Sequence, residues 1–219
     1  MTIPSESLKR LQVEGWASLP VSNRIDLNIH ITSIARDLGT VIKSRSGEST
    51  ETIAPKGEGA ARVTSLSHRF GLGALPLHSD TAHWTLPSRY IILACSETGS
   101  VPTPTLLVDA HDPGFSDHEC LLLRSSTFLV RNGGRSFYAS IFDRRRQFVR
   151  FDPGCMEPVT DSSTTAMQLY GIQRQQNRVI SHDWNEGHVL IIDNWRMLHG
   201  RGNDAPADPE RRLIRVYAR

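Results

Sequence analysis

The chain has 219 residues, 38% hydrophobic and 22% charged, with a formal net charge of +2. That is enough chain for one well-buried core, so one domain over residues 1–219 is expected, and no apolar run reaches the roughly 18–20 residues needed to cross a bilayer. The near-neutral charge, with no basic face carrying interleaved aromatics, argues against a nucleic-acid partner, and three widely spaced cysteines (Cys95, Cys120, Cys155) without a Cys-x-x-Cys pattern read as reduced thiols.

In chain order, Met1 to Glu6 lack the basic start and apolar stretch of a signal peptide, so a cytoplasmic protein is expected. Residues 5–12 read as a short helix and 15–19 as a first strand. Ile25, Leu27, Ile31, Ile34, Ala35 and Leu38 recur at helical spacing, and Gly39 ends the run. The pattern then turns mainly β. Residues 40–43 alternate, 46–61 read as a loop carrying one strand, and strands are expected at 62–67, 75–80, 89–96 and 105–109. A helical turn is expected at 117–124. Strands 128–131 and 136–142 flank Asn132-Gly133-Gly134, a tight-turn signal, and 136–142 and 147–151 flank Arg144-Arg145-Arg146, read as a solvated hairpin tip. A second long helix spans 161–177, with Asp161 or Ser162 as cap and Met167, Tyr170 and Ile172 facing the core. Strands at 179–184, 188–194 and 211–217 close the chain. Many short strands and few helices imply a sandwich or barrel-like sheet pair, with the two long helices buttressing one face and a site between the sheets near one mouth.

Chemistry concentrates in a few positions. In His78-Ser79-Asp80 the imidazole and carboxylate fall on the same side of a strand, because side chains alternate with period two. His199, placed at the end of a short turn after the buried run Val189-Leu190-Ile191-Ile192 and the polar Asp193-Asn194, supplies a distant third group. Two histidines and a carboxylate leave three coordination positions open on a metal, the arrangement a non-haem Fe(II) oxygenase needs. On the last strand Arg211, Leu213, Arg215 and Tyr217 share a face, and two arginines directed inward need anions to meet. Thr105 opens an apolar strand from which its hydroxyl can assist in holding a carboxylate gripped by such an arginine. Each piece alone has an ordinary reading as a surface histidine, a capping aspartate, an edge strand or a pleat threonine.

Taken in order, His78-Ser79-Asp80, Pro104-Thr105-Leu106, Asp193-Asn194 through Leu198-His199-Gly200-Arg201, and Arg211-x-Leu213-x-Arg215-x-Tyr217 resemble the TauD/TfdA family. These are Fe(II)- and 2-oxoglutarate-dependent dioxygenases that include taurine dioxygenase and clavaminate synthase-like enzymes. The resemblance covers roughly residues 62–219. It implies a mainly β fold with flanking helices, a double-stranded β-helix (jelly roll, cupin-like). It implies His78, Asp80 and His199 as iron ligands, Thr105 and Arg211 as contacts to 2-oxoglutarate, and Arg215 as a further anion-binding arginine. Arg212 is the alternative to Arg211, since a one-residue slip exchanges their faces. The activity implied is dioxygen-dependent hydroxylation or desaturation of an unactivated C–H bond in a small polar metabolite, such as an amino acid or natural-product intermediate in a biosynthetic pathway. Asp80 favours this over halogenation. His83, Trp84 and Trp195 are candidates to line the pocket. Residues 112–161 hold little beyond hairpins where relatives often insert lids. A zinc hydrolase built on the same ligands leaves Thr105 and Arg211 unexplained. A non-catalytic jelly-roll binding module is the remaining alternative.

Overall fold

The computed structural model describes residues 3–21, 26–43, 47–61, 65–110, 114–143, 145, 148–176, 178–202 and 206–219, and the side chains among them except those of 173–176. In chain order the elements are α1 (Ser5–Glu14), β1 (Trp16–Pro20), α2 (Leu27–Leu38), β2 (Val41–Ile42), β3 (Glu51–Ile53), α3 (Leu66–Phe70), β4 (Leu75–His78), β5 (Tyr90–Glu97) and β6 (Thr105–Asp109). Then follow α4 (Asp117–Ser125), β7 (Phe128–Val130), β8 (Phe137–Ala139), β9 (Met156–Pro158), α5 (Asp161–Gln176), β10 (Ile180–His182), β11 (His188–Asp193), β12 (Met197–Arg201) and β13 (Arg212–Ala218).

Among the described residues the strands form three antiparallel sheets. The first runs β1-β11-β5-β13-β2, with β3 also on β13; the second runs β10-β6-β12-β4; the third runs β8-β7-β9. The central strands of the first sheet are buried on both faces. Ile91, Leu93, Leu190 and Ile192 point inward onto Leu107 and Met197 of the second sheet. Ile92, Ala94, Val189 and Ile191 point outward onto Leu11, Ile31, Ile34 and Ala35 of the first two helices. Neither face meets water, so β5 and β11 read as unbroken apolar runs rather than alternating ones. The double-stranded β-helix arrangement of two facing sheets is thus present, with its core between them. No helix among the described residues is long and apolar enough to cross a membrane.

Several expectations need correction. The two long helices do not buttress one face. The second helix packs on β5 and β13, whereas α5 packs with α4 and β9 around buried Tyr170, Phe128 and Leu123. The second helix begins at Leu27 because Asp26 caps it, accepting from the N–H groups of Asn28 and Ile29; Ile25 lies outside the described residues. The strand expected at 62–67 is not formed where it is described. Ser65 instead caps α3, its hydroxyl accepting from His68 N–H, while 62–64 lie outside the described residues. The strand expected at 147–151 is reduced to one antiparallel bridge, Phe142 to Val149, and Arg144, Arg146, Gln147 and Asn177 fall outside the described residues. His199 sits in mid-strand in β12, not at the end of a turn.

Candidate metal centre

His78 is the last residue of β4, the edge strand of the second sheet. Pro76 is tolerated there because an edge position needs no inward N–H. Its carbonyl has a specific use, lying 2.9 Å from His78 Nδ1. A proton on Nδ1 satisfies that contact and leaves Nε2 bare to accept a metal. Across the ladder, the Cα partner of His78 is His199, and the two imidazole centroids are 4.5 Å apart. Close approach of the two strands depends on Gly200, where an added Cβ would lie 2.6 Å from Leu75 O.

Asp80 follows where the strand has ended. Its Oδ2 accepts from Tyr217 Oη at 2.8 Å and Arg215 Nη1 at 2.9 Å. Its Oδ1 is 3.9 Å from His78 Nε2, and Oδ2 is 4.0 Å from His199 Nε2. One donor atom from each of the three residues lies within 4.8 Å of the other two. Thr81 comes next at φ 55, left-handed and uncommon for a β-branched residue. Its hydroxyl donates to Asp80 O at 2.7 Å and accepts from Ser88 N–H at 2.8 Å, which offsets a strain of about 1–3 kcal/mol.

The electrostatics keep these groups ready for a cation. Burial alone would raise the Asp80 carboxyl, but Arg215, His199, His78 and the Tyr217 hydroxyl outweigh it and hold it well below the usual carboxylate range. Burial, then His78 and Arg215, push His199 down to about 3, against a smaller opposing pull from Asp80. The site is therefore an ionised carboxylate facing a neutral imidazole at any ordinary pH, which is the protonation state a metal ion requires. The bare Nε2 of His78, the converging donors and the ionised carboxylate together fit a divalent metal of the kind held by two histidines and one carboxylate.

The centre opens into a cavity of about 1040 Å³ whose lining includes His78, Asp80, His199, Thr105, Arg211 and Arg215. All six candidate residues thus share one chamber. Arg211 is 6% exposed, its guanidinium carbon 5.8 Å from the Trp184 ring. Burial lowers it to about 10, with Cys95 opposing and Arg201 reinforcing the shift. No carboxylate among the described residues pairs with it, and its buried Nε has no hydrogen-bond partner among them. Thr105 accepts from Trp184 Nε1 at 2.9 Å and borders the same space. Arg212 faces away, donating to Pro209 O and to Arg211 O and lying 3.5 Å from Glu210. Cys95 pairs with Leu213 and Glu97 with Arg212, so the extra residue of the bulge, Ser96, is on β5 and the alternation of β13 is undisturbed.

Arg215 meets its anions within the chain: its Nη1 is bound to Asp80 and its Nη2 to Glu51 at 2.8 Å. His83 and Trp84 line the cavity, but Trp195 does not; it donates to Pro87 O at 3.2 Å and packs on Phe148. Sequence reasoning missed Glu51 and Trp184, and it placed Asn194 in a motif without marking it as a partner of Asp80. Glu51 sits in a Gly- and Ser-rich stretch with no periodic signal. Asn194 follows the buried run of β11 with no local signal for its partner, and Trp184 has none either. Tyr217 was readable as a residue on the face of Arg211 and Arg215, though not as a donor to Asp80.

Comparison with known proteins agrees with this geometry. The family model described as "Taurine catabolism dioxygenase TauD, TfdA family" matches residues 108–217, half of the chain. No curated protein matches. Among solved structures, an asparagine oxygenase in complex with Fe(II), 3-hydroxyasparagine and succinate superposes with a TM-score of 0.76 at 18% identity, covering 98% of this chain and 78% of its own. The non-haem iron oxygenase OrfP in complex with Fe and α-ketoglutaric acid gives 0.72 at 17% identity, covering 98% and 77%. PvcB from Pseudomonas aeruginosa gives 0.69 at 21% identity, covering 99% and 80%. At these identities the structures establish the shared fold.

Proposed function

The chain belongs to the taurine dioxygenase TauD/TfdA family, and from that premise we propose that it is an Fe(II)- and 2-oxoglutarate-dependent oxygenase that hydroxylates an unactivated C–H bond of a small polar metabolite, most plainly an amino acid. Residues 1–219 would act as one catalytic domain. The observation that carries the reading is the His78–Asp80–His199 cluster in the same chamber as a buried Arg211 that has no carboxylate partner among the described residues. A metal face alone suits several chemistries. A metal face beside a buried unpaired guanidinium suits a co-substrate that chelates at one end and carries a carboxylate at the other.

Iron with 2-oxoglutarate and dioxygen supplies oxidative decarboxylation to succinate coupled to oxidation of the substrate. The chain supplies the rest. His78, Asp80 and His199 hold the metal. Arg211 and the Thr105 hydroxyl, itself fixed by Trp184, orient the distal carboxylate of the co-substrate. Trp84, set edge-on to Tyr217 at 6.0 Å, helps to exclude water. The Glu51–Arg215 pair at the cavity wall presents one negative and one positive group side by side. An α-amino acid complements that wall through its ammonium, which the half-exposed Glu51 carboxylate can accept beside its bond to Arg215. The asparagine oxygenase structure, with hydroxylated asparagine and succinate bound, supports that substrate class. Free thiols at Cys95, Cys120 and Cys155 are in keeping with a reducing compartment such as the cytoplasm.

The test is anaerobic addition of Fe(II) and then 2-oxoglutarate, which is expected to develop a weak visible absorption lost in His199→Ala. Admitting oxygen with a panel of free amino acids is expected to release succinate in step with a hydroxylated product. Turnover with zinc, without oxygen or 2-oxoglutarate, would instead identify a hydrolase, and failure to take up metal at all would leave only a binding module.

A further inference from the structure

Asn194 directly follows the last residue of β11, on the first sheet, and its side chain reaches across to the segment that carries Asp80. It is 1% exposed, and its amide is fully used. Oδ1 accepts from Asp80 N–H at 2.8 Å, and Nδ2 donates to Asp80 O and to Ser88 O, both at 2.9 Å. Its own N–H donates to Arg89 O at 2.7 Å, which anchors the residue independently of its side chain.

The pattern of these bonds is informative. Past His78, β4 has ended and no strand among the described residues continues the ladder beside Asp80. A buried peptide there still needs a donor and an acceptor. The Asn194 amide provides both, as a neighbouring strand's peptide group would. The main chain of Asp80 is thereby held on both sides, while its Oδ2 is held by Tyr217 and Arg215. Only Oδ1 has no donor among the described residues, and it is the oxygen 3.9 Å from His78 Nε2.

We propose that Asn194 is a positioning residue of the metal centre: its amide clamps both main-chain groups of Asp80, and so sets the carboxylate that completes the metal-binding face with His78 and His199. The inference rests on the reading of those three residues as ligands. Asn194 touches no ligand atom itself and acts only through the placement of Asp80. Thr81 also donates to Asp80 O, so the bond to Asp80 N–H is the one that no other described side chain replaces.

The experiment titrates the apoprotein with Co(II), followed by its visible ligand-field bands, in the native chain and in Asn194→Leu, Asn194→Asp, Asp80→Ala and Ile191→Val. Ile191 is fully buried on β11, the strand that leads into Asn194, and serves as a stability control. Both Asn194 variants are expected to bind about 10–100-fold more weakly, as is usual when a partner of a metal ligand is removed, with altered band positions. Ile191→Val is expected to unfold more easily and bind normally. Should Asn194→Leu fail to fold, Asn194→Asp decides, since it loses both Nδ2 donors and sets a carboxylate oxygen against Asp80 O and Ser88 O, a repulsion that draws the side chain off Asp80 N–H as well. Native affinity and bands in the folded Asn194 variants, with binding lost in Asp80→Ala, would overturn the positioning role alone. Unchanged binding in Asp80→Ala would overturn the ligand assignment beneath it.

Discussion

At the scale of single residues, the site is held in place by groups that are unfavourable for the fold on their own. Arg211 is the clearest example, a guanidinium 6% exposed and lowered to about 10 by burial, with no carboxylate beside it among the described residues. An uncompensated buried charge costs stability, and replacing it with an apolar side chain of similar length is often stabilising. Arg211→Met is therefore expected to raise the denaturation midpoint of the apoprotein while raising the 2-oxoglutarate requirement at least roughly thirtyfold, the lower end of what truncating a buried charge pair costs. Arg212→Met, whose side chain lies outward beside Glu210, is expected to change neither by more than about twofold. Thermal scans and 2-oxoglutarate titrations of succinate formation check both variants. Loss in Arg212→Met with Arg211→Met unaffected would reverse the assignment. The residues legible in the sequence were those whose chemistry has a period or a fixed spacing, such as His78 with Asp80 or Arg211 with Arg215. The pairings of Glu51 and Asn194 escaped because their partners, Arg215 and Asp80, are 164 and 114 positions away, and no local pattern marks them.

At the scale of elements, the proposed metal face is a product of one cross-strand pair. His78 and His199 oppose each other only because β4 and β12 approach closely, and the ladder is irregular between His199 and Arg201. Gly200 permits that approach. A methyl group there would lie 2.6 Å from the main-chain oxygen of Leu75, which cannot move without the strand. Gly200→Ala is expected to push β4 outward, to cost about 1–3 kcal/mol of stability as overpacking usually does, and to weaken metal binding by separating the two imidazoles. Calorimetric metal titration together with urea unfolding checks this; a destabilised variant with native metal affinity would show that the pair tolerates separation. The same strand explains an error of reading. Met197 to Arg201 carries histidine, glycine and arginine after a polar stretch, which looks like a turn, yet all five residues are buried because β6 and β4 flank the strand on both edges. Tertiary pairing, not propensity, makes that segment a strand.

At the scale of the whole molecule, the first sheet supplies Arg215 and Tyr217, the second supplies His78 and His199, and Asp80 is tied to both. The facing of two sheets was legible from the number and shortness of the strands. The placement of the helices was not, because an apolar helix face does not say which of three clusters it joins. At the far edge of the second sheet from β4, His182 on β10 is buried with rings at 6.4 Å from Trp16 and 4.7 Å from Trp184, the residue that also holds Thr105. Burial, then His188, Arg10 and Arg211, lower His182 from 6.5 to about 4, with Asp183 opposing. A histidine depressed in this way is neutral in the fold and takes up its proton more readily when unfolded. Between pH 6.5 and pH 4 the unfolded chain therefore binds more protons, and stability falls as the pH falls through that window. Above pH 6.5 both states are neutral and the effect vanishes. His182→Phe, which keeps an aromatic ring between the two tryptophans, is expected to lose less of its urea midpoint between pH 7 and pH 4.5 than the native apoprotein does, while groups common to both chains contribute equally. Identical pH dependence in the two proteins would mean that His182 titrates normally in the fold and that the second sheet's far edge is open to water.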